Sequence, residues 1–205
     1  MTEKNELMTT NSTVAAFESA QGFDLVQRMA KMLSASKLVP ATFQNNIADC
    51  IIGIELANRL RAPVLSVMQS MYVVHGKPAW SSQFLIAQVN ASGRFAMPLQ
   101  FKYEGQGEGR RCKAWTKTHD GTIAEGVEVS IEMAKKEGWL TKSGSKWQTM
   151  PELMLAYRAA TFFARLYIPE LTMGLMTQEE IVDVQDGEGN SIQPPLKTKL
   201  DNVED

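Results

Sequence analysis

The stretch 95–130, FAMPLQFKYEGQGEGRRCKAWTKTHDGTIAEGVEVS, decides the fold. Phe95–Tyr103 and Arg111–Thr118 read as strands, and the glycine-rich Gly105–Gly109 between them reads as a turn. Asp120-Gly121 is a hairpin signal, and Gly126–Ser130 reads as a third strand. Three strands joined by short turns form an antiparallel β-meander. Alternation along the second strand puts Arg111, Lys113, Trp115 and Lys117 on one face and Arg110, Cys112, Ala114 and Thr116 on the other. By the same alternation Glu125 and Glu128 fall on different faces.

Helices flank this meander. Downstream, Thr149-Met150-Pro151-Glu152 has the capping-box spacing with proline in the first turn, so a long helix is expected over Pro151–Tyr167, stopped by Pro169. Thr177-Gln178-Glu179-Glu180 repeats the capping spacing and predicts a short helix to about Val184. Ile131–Lys136 is a short helix ended by Gly138. Upstream, Val14–Leu33 has helical periodicity weakened at Gly22, and a stronger helix runs from Thr42, its N-cap, to Leu60. Val64–Met68 is a helical turn. Met71–His75 reads as a strand, Gly76-Lys77-Pro78 as a turn, and Ala79-Trp80 as the return. Ser81-Ser82 caps a helix over Gln83–Ser92, closed by Gly93. The expected class is therefore α+β: an antiparallel meander with a long packed helix, flanking N-terminal helices and a flexible acidic C-terminal tail. The expected boundaries are a disordered N-terminus over 1–13, one domain over 14–184, and the tail over 185–205.

Composition suits a soluble globular chain, with 44% hydrophobic and 21% charged residues. No apolar run approaches the roughly 20 residues that span a bilayer. A cytoplasmic location is expected, with Cys50 and Cys112 reduced. The net charge of −2 is unevenly spread. Residues 178–205 carry eight acids and two bases, whereas residues 71–165 carry 13 bases and eight acids. A mildly basic body is compatible with a polyanionic partner, but charge alone favours the plainer reading of an ordinary solvated surface.

Common catalytic signatures are missing. There is no phosphate-binding loop of the G-x-x-x-x-G-K-S/T type and no serine in a G-x-S-x-G elbow. Cys50, His75, Cys112 and His119 have no metal-ligand spacing. The expectation is a binding protein without cofactor, metal or catalytic residue.

Three segments mix bases with aromatics: Tyr72–Trp80, Arg110–Lys117, and Lys142–Arg165. Cations neutralise phosphates, and aromatic faces stack on unpaired bases, so the combination fits single-stranded nucleic acid. The phosphate-contact candidates are Lys77, Arg111, Lys113, Lys117, Lys142, Lys146, Arg158 and Arg165, with Trp80 and Tyr157 near bases. Each part has a plainer reading. Trp115 and Trp147 also read as core. Arg158 and Arg165, on one helical face with Phe162, also read as partners of acids on a neighbouring element. Arg111–Lys117 also reads as an edge strand guarded by lysines.

Two stretches add a resemblance. Lys146, Trp147, Met150, Pro151, Met154, Arg158, Ala159, Phe163 and Arg165 fill the pattern K-W-x-x-M-P-x-x-M-x-x-x-R-A-x-x-x-F-x-R, and Tyr72–Ser81 reads Y-V-V-H-G-K-P-x-W-S. Over about Pro40–Val184 the chain resembles the RecT family of phage recombinases. The resemblance implies a core with a β-meander followed by a long helix. It implies single-stranded DNA binding without ATP, annealing to a duplex, and homo-oligomeric rings or helical filaments. It also implies a partner 5′–3′ exonuclease and contact with a host single-strand DNA-binding protein, inside a bacterial host cell. Outside this resemblance, a small metal-dependent nuclease and a protein-binding assembly factor stay open.

Overall fold

The computed structural model describes residues 15–74, 77–143 and 145–184. The expected disordered N-terminus, the acidic tail, His75 at the end of the expected strand and Gly76 of the expected turn lie outside the described residues. The chain divides into two compact units between Val73 and Val74.

The first unit is helical: α1 (Ala15–Glu18), α2 (Ala20–Ser34), a 3-10 turn (Ala41–Phe43), α3 (Ile47–Leu60) and α4 (Val64–Ser70), before β1 (Met71–Val74). The break between α1 and α2 falls at Ser19, not Gly22, because the Ser19 hydroxyl caps α2 by accepting from the Gly22 N–H. The expected start at Thr42 is also corrected. Asn45 sits at φ 57°, which ends the 3-10 turn, and Asn46 caps α3 by accepting from the Asp49 N–H. Val26, Ala30, Phe43, Cys50, Ile54, Ala57, Val67 and Met68 are buried within this unit.

The second unit contains β2 (Lys77–Trp80), α5 (Ser82–Ala91), β3 (Gln100–Glu104), β4 (Arg111–Lys117), β5 (Ile123–Glu125), β6 (Val129–Ser130), α6 (Ile131–Lys136), α7 (Pro151–Tyr167), α8 (Pro169–Thr172), β7 (Met176–Thr177) and α9 (Gln178–Val184). Its 3-10 turns are Gly107–Gly109 and Trp139–Thr141. The α+β expectation is met, and its meander is antiparallel. Lys77 and Pro78 are strand residues, not a turn. Their strand pairs in parallel with β7, Ala79 opposite Met176 and Trp80 opposite Thr177.

β4 is the central strand of the meander. β3 pairs along one side, Gln100 opposite Trp115 through Glu104 opposite Arg111. β5 and β6 share its other side, Glu125 opposite Trp115 and Val129 opposite Cys112. The third strand therefore begins at Ile123, earlier than expected, and is broken at Gly126. The break has a packing cause. A Cβ on Gly126 would lie 3.1 Å from the Phe163 Cβ and 3.3 Å from its Cα, so only glycine lets α7 come this close. The inner sheet face, with Cys112, Ala114, Ala124 and Val129, packs on Leu155, Ala156, Ala159, Ala160 and Phe163 of α7. Small alanines along one helix stripe let backbone approach backbone.

Both ends of α7 follow the sequence, but its cap does not. Met150 is the N-cap residue and makes no side-chain bond, while Glu152 pairs with Arg110 at 2.6 Å. Proline at N1 starts the helix. The second capping box is real: the Glu180 N–H donates to Thr177 Oγ1 at 3.3 Å, and the Thr177 N–H donates to Glu180 Oε2 at 2.9 Å.

Candidate nucleic-acid interface

Strand alternation builds one candidate surface. Cys112, Ala114 and Thr116 are buried toward α7, so Arg111, Lys113, Trp115 and Lys117 point the opposite way. Residues directly opposite in register share a face. Gln100, Lys102 and Glu104 of β3 therefore join Trp115, Lys113 and Arg111 on this outward side, as do Ile123 and Glu125 of β5. Trp115 is half-buried at its middle, between Lys113 and Lys117 along the strand and between Gln100 and Glu125 across it. The core reading of Trp115 is corrected: it lies on the sheet face away from the α7 core.

Carboxylates pair most of the cations on this face. Lys102 pairs with Glu104 at 2.9 Å, Arg111 with Glu104 at 2.9 Å and with Glu128 at 3.5 Å, and Lys113 with Glu125 at 3.3 Å. The hydrogen bond from Lys102, then that from Arg111, holds the Glu104 carboxyl down at about 2. Lys117 is exposed and makes no ion pair among the described residues. Glu125 and Glu128 share this face, against the simple alternation count, because the break at Gly126 shifts the phase between them. Lys102 is the cation that the sequence reading missed. Its signal was the alternation Gln100, Lys102, Glu104. β4 is central, so its lysines do not guard an edge.

The second group of candidates lies on the other side of α7. Arg158 is 6% exposed. Its guanidinium bonds Glu180 at 3.1 Å and also bonds Asp183, and it lies 4.1 Å from the centroid of the Trp139 ring. The Trp147 indole N–H donates to both Asp183 oxygens at 3.1 Å. Arg165 makes a forked pair with Glu180, 2.7 Å to each oxygen. Burial pushes the Asp183 carboxyl up, while Arg158 and the Trp147 N–H pull it back. This cluster fastens α9 to α7. Glu180 is at once the capping-box acid of α9 and the partner of both arginines.

The geometry therefore corrects two candidates, Arg158 and Trp80. Arg158 is a buried structural cation, whereas Arg165 is partly exposed and paired with Glu180, as Arg111 is with Glu104. Trp80 is 1% exposed and donates its indole N–H to the Thr172 carbonyl at 3.3 Å, so it does not reach a base. Trp147 is core. Tyr157 is half-buried, its phenol oxygen accepting from Gln83 Nε2 at 2.9 Å. Lys77 and Lys146 are exposed, and Lys142 is half-buried in the loop before α7. Arg111, Lys113 and Lys117 are brought together; the α7 candidates lie on the opposite side of the helix–sheet sandwich from them.

A family model described as the RecT family matches residues 87–193, just over half of the chain. The chain belongs to the RecT family. RecT proteins are phage-associated single-strand annealing proteins of DNA recombination. The matched residues take in the whole meander, α7 and the α9 clamp, whereas Tyr72–Ser81, which also resembled RecT, lies upstream of them. No curated protein and no solved structure matches the chain. Among the described residues no group of three His, Cys, Asp or Glu side chains is arranged to hold a metal, and no helix is long and apolar enough to cross a membrane.

Proposed function

We propose that this RecT-family chain binds single-stranded DNA on the outward face of its meander and anneals complementary strands without ATP. It works as a homo-oligomer, a ring or helical filament, on strands exposed by a 5′–3′ exonuclease and in contact with the host's single-strand DNA-binding protein. The observation that carries the reading is the outward face itself. A half-buried tryptophan sits among Lys102, Arg111, Lys113 and Lys117 within the matched segment. Cations along a strand neutralise phosphates without regard to sequence. One aromatic face offers stacking worth about 1–3 kcal/mol to an unpaired base. Base pairing then supplies the driving force, roughly 1.4 kcal/mol per step, so no bond in the DNA is made or broken. Lys142 and Lys146, in the loop before α7, extend the contact in the assembled oligomer.

The test is annealing of two complementary oligonucleotides without nucleotide or metal, for the native chain, Trp115→Ala and Lys117→Gln. Both variants should bind single strands more weakly and anneal more slowly. Annealing that requires ATP, or variants that match the native chain, would refute the reading. Cleavage of labelled single strands on adding magnesium would favour a nuclease instead.

A further inference from the structure

The outward face carries four cations but also three carboxylates, Glu104, Glu125 and Glu128, and every cation except Lys117 is held by one of them. Exposed pairs of this kind add little to folding stability. Their abundance on the one face with a surface tryptophan calls for another account. We infer that these carboxylates act as built-in counter-ions that single-stranded DNA must displace, so that they set how tightly the face holds a strand. The inference rests on the reading of this face as the DNA-binding one.

A phosphate approaching Lys113 meets an ammonium already paired with Glu125, and one approaching Arg111 meets two carboxylates. The phosphate gains the cation only as the carboxylate lets go, and it then lies beside a like charge. A phosphate held by such a cation is only partly neutralised, so fewer of the strand's own condensed counterions are released, and binding is weaker and also less sensitive to salt than the number of lysines and arginines implies. A loose hold suits an annealing surface, which must give up its strand once the strand is paired. Mild acid does not lift the screen at Glu104, since that carboxyl stays ionised down to about pH 2.

The experiment measures binding of an oligo-dT single strand over a series of salt concentrations. The proteins are the native chain, Glu125→Gln, and the triple variant Glu104→Gln/Glu125→Gln/Glu128→Gln. Each lost carboxylate should tighten binding about two- to fivefold. Each freed cation should steepen the salt slope by about 0.7, and release of annealed product should slow. Glu132→Gln, which frees Lys136 on α6, outside the strands of the meander, should leave binding unchanged. Unchanged or weaker binding by both glutamine variants would overturn the inference. Lys117→Gln separates the two levels. If it weakens binding while the glutamine variants do not tighten it, the screen is wrong and the face stands. If neither changes binding, the face is wrong and the screen falls with it. Glu125→Gln alone predicts the same sign, so a folding defect in the triple variant does not remove the test.

Discussion

Replacing Arg158 with methionine should unfold the clamp between α7 and α9. The side chains of Arg158, Glu180 and Asp183 are 5%, 4% and 2% exposed, so water cannot stand in for the lost guanidinium. Glu180 would keep Arg165 and the Thr177 N–H, but Asp183 would keep only the Trp147 N–H. Breaking one partner of a buried ion pair costs about 3–5 kcal/mol. For a chain of this length each kcal/mol moves the midpoint by about 2–4 °C, so thermal unfolding should shift down by roughly 6–20 °C. The assay is unfolding by heat and by urea, run beside Asp183→Leu and the double variant. Removing both charges relieves the stranded carboxylate, so the double variant should lose less than the sum of the singles, with a coupling of about 1–3 kcal/mol. A loss below about 1 kcal/mol for Arg158→Met would refute the clamp. So would an unchanged midpoint together with a salt slope of DNA binding lowered by about one, which is the signature of a phosphate contact.

Two further outcomes follow from the sheet. Gly126→Ala should destabilise by about 1–3 kcal/mol through overpacking against Phe163, read as a lower urea midpoint; an unchanged midpoint would mean that α7 does not sit so close. A carbon-detected titration should find Glu104 with a midpoint of about 2, rising in Lys102→Ala because Lys102 is the main cause of its depression. Its folded value lies below its ordinary 4.5, so its contribution to stability is present above 4.5 and is lost as pH falls through about 2.

Local signals carried most of the fold. Period-two alternation identified β4 and its two faces, and proline at N1 with proline after Ile168 bounded α7. The Thr177–Glu180 spacing announced a helix that the structure caps in that way. What was not legible depended on partners distant in sequence. Nothing near Arg158 says that Glu180 and Asp183, more than 20 residues on, will bury it. Trp80 looked free beside a basic turn, yet β7 and Thr172 cover it from far downstream. The split of the third strand at Gly126 is set by the approach of α7, and it alone brings Glu125 and Glu128 onto the cationic face. The pattern that marks the family, from Lys146 to Arg165, proves mainly architectural in its buried members: Trp147, Met154, Arg158 and Phe163 are core or clamp residues.

The most direct test of the account is the salt dependence of single-strand binding by the variant Arg111→Gln/Lys113→Gln/Lys117→Gln, with its folding checked by thermal unfolding. The outward face predicts a native midpoint, a salt slope reduced by about one to two, and slower annealing. A folded variant with the native slope and the native annealing rate would contradict it.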